Sequence, residues 1–341
     1  MNTRVFICLI LFICHNAWSE LYTPADNDII AKAQSVNSAT LSQDQLMVLL
    51  LNSQYIGQTE LRQGLLKNQL RQLYAQSPTA QIGYMYARVL QREHQFDLAL
   101  SITAAVLKND PNHVNTHLLR ANMLMVQGEF FAAKRQCLKL LGLTAMDVVS
   151  TCTLDVLSQT EQLAASYQSL KNSILPAQRS NTTRHLLAEM ALRLAKPEAA
   201  LAHIQNLTLS NAPVSLIVLW ADINLALGDD QIILNTIPAL LEDSQNLEDA
   251  LLLRLAIAER NSKNKTQLKW QNLMAKRVAL RELRQDTFHA SDLAYYYLAL
   301  NKQPEKALHW ALINWQQAKL DADRTLLAKA KLANQAQEAS L

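Results

Sequence analysis

One stretch of this chain repeats itself at a fixed distance. Residues Ala87 to Val106 recur from Ala121 to Leu140, an offset of 34: Ala87 pairs with Ala121, Leu90 with Leu124, Phe96 with Phe130 and Ala99 with Ala133. Such a unit is too short to bury its own apolar face, so it must stack on its neighbours. Alanines 12 residues apart, with an aromatic between them, suit two helices that cross closely. The alanines let the backbones approach, and the aromatic fills the space beyond the turn. Composition agrees. Six glycines and eight prolines in 341 residues are too few for the turns of an all-β chain, and half of the residues are hydrophobic, so the fold class is all-α.

The same spacing extends in both directions. Ala188 and Ala200 keep the separation of 12 and are followed by Pro213, while Ala221 and Gly228 lie 33 residues beyond Ala188 and Ala195. Between Ala121 and Ala188 there is room for one divergent unit, with helices expected near Met146 to Ser158 and Thr160 to Leu175, closed by Pro176. Leu255 or Ala256 marks a later unit, and Ala294 with Ala307 another. Ser53 falls in a weak first unit, and Ala328 in a final capping helix. The clearest repeats are expected at 80–113, 114–147, 181–213 and 214–247, within one solenoid over 20–341. Asp110-Pro111 stops a second helix, because proline disfavours helical geometry in the residue before it.

Ala87, Phe96, Ala99 and Pro111 in one unit, and Ala121, Gly128, Phe130 and Ala133 in the next, resemble the tetratricopeptide repeat. The string His94-Gln95-Phe96-Asp97-x-Ala99-Leu100, with Arg120-Ala121, Val126-Gln127-Gly128 and a late Asn314-Trp315, looks like exported proteobacterial members of that superfamily that have no assigned activity. The resemblance implies a right-handed superhelical solenoid of antiparallel helix pairs, about eight units plus a C-terminal capping helix. It also implies a concave groove lined by the first helix of each pair, which holds a protein or peptide partner. Groove positions carried over by register are Tyr84, Arg88 and Gln91, then Leu118, Asn122 and Met125, then Glu189, Asp222 and Tyr295. Arginine and asparagine can bond backbone or carboxylate groups, and Tyr and Met supply adaptable contact area. The Lys and Asn combination with which some members clamp a C-terminal carboxylate is not reproduced.

The first residues carry a separate signal. Arg4 precedes an apolar run from Val5 to Ile13, and Ala17-Trp18-Ser19 offers the small residues read by a signal peptidase;. Residues 1–19 are therefore expected to be a signal peptide cleaved after Ser19, and the mature protein to be periplasmic or otherwise exported. The alternatives are an uncleaved anchor, for which the run is shorter than the ~20 residues that span a bilayer, and a lipid anchor, for which Ile13 before Cys14 is the wrong residue. Cys8 and Cys14 leave with the leader, and Cys137 and Cys152 remain. Cys137 falls on a second helix, on the face turned to the next unit's first helix, which should carry Cys152. A disulfide suits that placement and an oxidising compartment; the alternative is two buried free thiols.

Signals for chemistry are sparse. His113 and His117 are four apart and could share a helix face as metal ligands, but no third ligand stands near and His113 falls in the turn before the helix. Asp321-x-Asp323 lacks the glycine and distal glutamate of a calcium loop and reads as a helix N-cap. No nucleophile elbow, P-loop, HExxH or dinucleotide turn is present;. No enzyme activity, cofactor or metal is expected; the alternative is an enzyme whose residues, such as two carboxylates distant in sequence, assemble only in three dimensions. A formal charge of +3 points to no particular partner;. The basic stretch over 260–284 (Arg260, Lys263, Lys265, Lys269, Lys276, Arg277, Arg281, Arg284) could attract an anionic envelope surface. Its plainer reading is the solvated face of a helix, and export argues against nucleic acid. Of the aromatics, Tyr296, Tyr297, Trp310 and Trp315 read as packing residues of the last units.

Overall fold

A computed structural model of the protein describes residues 40–59, 62–241, 247–262 and 268–339. The expected leader, Lys263 and Lys265 lie outside the described residues. Within them stand seventeen α-helices and no strand. They pair as α1 (Gln43–Asn52) with α2 (Gln63–Gln76), α3 (Ala80–Arg92) with α4 (Phe96–Asn109), α5 (Val114–Val126) with α6 (Phe130–Leu138), and α7 (Met146–Ser158) with α8 (Leu163–Ser173). Then come α9 (Asn181–Arg193) with α10 (Pro197–Ile204), α11 (Val214–Leu227) with α12 (Asp230–Ala239), α13 (Asp249–Asn261) with α14 (Lys269–Leu283), α15 (Ala290–Ala299) with α16 (Pro304–Gln317), and finally α17 (Asp321–Glu338). The divergent unit appears where the spacing left room for it, as α7 and α8. No described helix is long and apolar enough to cross a membrane.

Small residues occupy the crossings. Ala87, Ala99, Ala133, Ala188, Ala200, Ala221, Ala256, Ala294 and Ala307 are wholly inaccessible, and Ala121 nearly so. The crossing of α3 with α4 is closer still: a Cβ added at Gly83 would stand 2.4 Å from Val106 Cγ2. In the first unit the register slips. Ser53 does not pack at a crossing; α1, capped by Ser42, has ended by then, and Leu50 fills the core. The Ser53 hydroxyl donates to the Leu50 carbonyl and accepts from Arg92.

The turns inside four of the pairs share one backbone device. His94, Gly128, Ala195 and Gly228, at matching places in four units, all have positive φ, at 55°, 82°, 56° and 79°. The left-handed conformation lets the chain leave a helix within one residue, and only glycine adopts it without steric cost.

The first helices of successive pairs touch along the stack (α3 with α5, α5 with α7, through to α15 with α17), whereas the second helices make no comparable contacts with one another. Helices closer on one side than on the other bend the stack around that side, so the odd-numbered helices line its concave face. The bend is strong enough for distant units to meet. The Val214 amide donates to the Gln54 carbonyl at 2.8 Å, and Glu248 Oε1 accepts from the Gly57 amide and the Thr59 hydroxyl.

Cys137 on α6 and Cys152 on α7 are bonded, with Cα atoms 5.6 Å apart and a sequence separation of 15. Two stability outcomes follow. Ala195→Gly should raise unfolding stability by roughly 0.5–1 kcal/mol, because Ala195 is exposed and its conformation strained;. A loss on denaturant unfolding would contradict this. Cys137→Ser with Cys152→Ser should lower stability by about 3 kcal/mol, and a variant as stable as the parent would show that the bond does not form.

Candidate functional site

The candidate groove residues lie on the odd-numbered helices. Arg88, Tyr84 and Gln91 on α3 are half-buried, as is Leu118 on α5, and Asn122 is exposed. Arg88 Nη1 approaches the Tyr84 hydroxyl at 3.5 Å, and the Tyr84 ring stands 5.8 Å from that of His113. Met125 departs from the expectation. It is only 5 % exposed, because it belongs to an apolar cluster with Ala121, Ala133, Cys137 and Val156 against which Leu320, from the segment before α17, packs.

Farther along, the face becomes acidic. Asp155 on α7 and Glu189 on α9 come close enough to repel each other, and Arg193, one turn beyond Glu189, stands 3.8 Å from its carboxylate. Burial, then the charge of Glu189, pushes the Asp155 carboxyl up to about 7 against the opposing pull of Gln159 and Arg193. Glu189 is also raised, by burial first. Its side chain keeps 38 % of its surface open to water, which moderates that push;. Asp222 on α11 is not free for a ligand: both its oxygens take hydrogen bonds from Arg254 on α13, at 2.8 and 2.9 Å. Arg254 also reaches Asp292 on α15 at 3.5 Å. Burial works against this guanidinium, but Asp222 and Asp292 outweigh it and hold its pKa above the usual range. Tyr295 is half-buried beside the same group, and burial raises its phenol.

Asp155, Arg254 and Asp292 escaped the reading of the sequence. Asp155 lies 33 residues after Asn122 and 34 before Glu189, and Arg254 lies 32 after Asp222, so the repeat spacing was the signal that could have found the first two.

The other singled-out residues have structural partners. His113 caps α5, accepting from the Thr116 amide, while His117 bonds the Pro111 carbonyl and Gln136. No group of three or more potential metal ligands comes together among the described residues. Asp323 accepts from the Leu320 amide at 3.0 Å, which is the expected helix cap. In the basic stretch, Arg260 donates to the carbonyls of Ala299 and Leu300, Arg277 and Arg281 grip the buried Asp249, and Lys269 lies 4.1 Å over the Trp270 ring. Lys276 and Arg284 are exposed. Tyr296, Tyr297 and Trp310 are buried and Trp315 half-buried.

Because the Asp155 pKa in the folded protein lies above its unfolded value, the stability gained from its protonated form is complete below about pH 4 and is lost as pH rises to about 7;. Asp155→Asn should therefore flatten the fall in melting temperature across that window. An equally steep fall in the variant would show that Asp155 does not cause it.

No family model matches the chain, and no curated protein matches it. Among solved structures, the crystal structure of the P58(IPK) TPR domain is similar at 11 % identity, over 87 % of this chain and 99 % of that one, with a TM-score of 0.30. So distant a likeness bears on no functional question, and the helical repeat rests on the helices described above.

Proposed function

We propose that this chain is an exported, non-enzymatic interaction scaffold that holds a protein or peptide segment along the concave face of its first helices. One observation carries the reading. Arg88, Asn122 and Glu189 keep accessible polar side chains on first helices whose neighbouring residues are buried. A partner laid across them would meet a cation, an amide and a carboxylate in order, with Tyr84 and Leu118 beside them as apolar contact. Export is supported by the leader pattern and by the pairing of Cys137 with Cys152;. Attachment to an anionic surface through residues 260–284 is less well supported, since Arg260, Arg277 and Arg281 spend their hydrogen bonds inside the molecule.

A photo-crosslinking residue at position 122, compared with one at Phe131, tests the proposal in cells. Phe131 is the natural control because it is 74 % exposed on a second helix. Position 122 should give discrete adducts that Arg88→Glu abolishes, and position 131 should not. Equal adducts at both sites, or indifference to Arg88→Glu, would contradict concave binding. N-terminal sequencing of the mature protein should begin at Glu20; an intact Met1 would contradict cleavage.

A further inference from the structure

The link between α16 and α17 behaves as a bound peptide. Ala318 and Leu320 are extended, with φ/ψ of −136°/132° and −72°/166°. From this short run the chain reaches four different units. His94, after α3, hydrogen-bonds Gln317 Oε1 through Nδ1 at 2.7 Å. The Lys319 amide donates to the Val126 carbonyl at the end of α5, at 2.8 Å. The Asp321 amide donates to Gln159 Oε1, after α7, at 3.1 Å. The Asp321 carboxylate accepts from Arg193 Nε and Nη2, at the end of α9, at 3.1 and 3.0 Å.

The receiving surface is shaped for this segment. Gly128 is the position where a side chain would press on Lys319: an added Cβ would lie 3.3 Å from its aliphatic carbons. Arg193 is already aimed, since its Nη1 and Nη2 donate to the Ser158 hydroxyl and carbonyl at 3.1 and 2.6 Å. Leu320 packs on the apolar cluster of Met125, Val156 and the cystine. Besides the side-chain hydrogen bonds with His94 and Gln159, the segment makes one backbone hydrogen bond to Val126, seats one apolar side chain, and places one carboxylate on the Arg193 guanidinium. None of them requires that the segment belong to this chain.

We infer that the edge formed by the ends of α3, α5, α7 and α9 is a docking surface for an extended segment in which an apolar residue precedes an aspartate, and that residues 317–321 occupy it in cis until a partner segment of that chemistry takes their place. The inference does not rest on concave-face binding, because these contacts lie at the helix ends and use none of Arg88, Asn122 or Glu189.

The test uses the full chain and a fluorescein-labelled peptide of residues 314–324. Leu320→Ser with Asp321→Asn in the protein weakens the cis occupant, so this variant should bind the peptide at least tenfold more tightly than the parent chain does. An Asp321→Asn change in the peptide should cost at least tenfold in affinity for the variant. Equal affinity for parent and variant, no binding to the variant, or indifference to the peptide's carboxylate would each overturn the inference. If the double variant does not fold, the single Asp321→Asn protein, which keeps the apolar seat, carries the same comparison. Loss of fold in both, with no recovery of the melting transition on adding peptide, also overturns it.

Discussion

Alanine at the crossing of two helices sets how near their axes can come, and in this chain that distance governs the rest. With Ala87 and Ala99, Ala188 and Ala200, and Ala294 and Ala307 wholly buried on the paired helices, each pair can close tightly and leave its larger apolar residues to the neighbouring pairs;. No unit can bury those residues alone, so the units stack. Because the first helices touch along the stack and the second helices do not, the stack curves, and curvature is what brings Gln54 to Val214 and Asp321 to Arg193.

The curvature also sets the electrostatics. Carboxylates that would be solvated on a straight stack are gathered on the inner face, where burial raises both Asp155 and Glu189, the charge of Glu189 adds to the rise of Asp155, and that of Asp321 adds to the rise of Glu189;. Among the described residues, Arg193 pairs with Glu189 and Arg254 with Asp222 on this face, and both arginines are held by several partners. Arg254 ties α11 to α15 through Asp222 and Asp292, and Arg193 ties α9 to the start of α17. Removing Arg254 would leave the partly buried Asp222 and Asp292 without that counter-charge, a costlier change than losing a surface pair, whereas Asp321 would keep Arg324 after the loss of Arg193;.

Most of the architecture was legible in the sequence because the packing rule is local. Alanines at a regular spacing, Phe96 and Phe130 after the turn, and Pro111 and Pro213 between units mark each pair directly, and even the divergent α7–α8 unit could be placed by the room left for it. The same register placed Cys137 and Cys152 on facing helices, where the structure bonds them. What escaped reading depends on curvature, which no single repeat encodes. Met125 looked like a groove residue by register but is buried in an apolar cluster against which Leu320, nearly two hundred residues downstream, packs. The repeat register placed Glu189 and Asp222 on first helices, yet that Asp222 is consumed by Arg254 could not be told without knowing how neighbouring first helices are rotated. Asp321 read correctly as belonging to a helix start, while its partner Arg193 lay 128 residues away.

The most direct test of this account is the distance between the turn after α3 and the end of α16, which meet only if the stack closes on itself. Spin labels at Asp97 and Gln316 probe it, since both residues are exposed and line the same cavity of about 400 Å³ with His94, Gln127 and Lys319. Pulsed electron resonance should return one short, narrow distance in solution, lengthened by Asp321→Asn with Leu320→Ser. A long or broad distribution in the parent chain would mean that the stack is open, and that its curvature neither gathers the inner carboxylates nor seats the segment before α17.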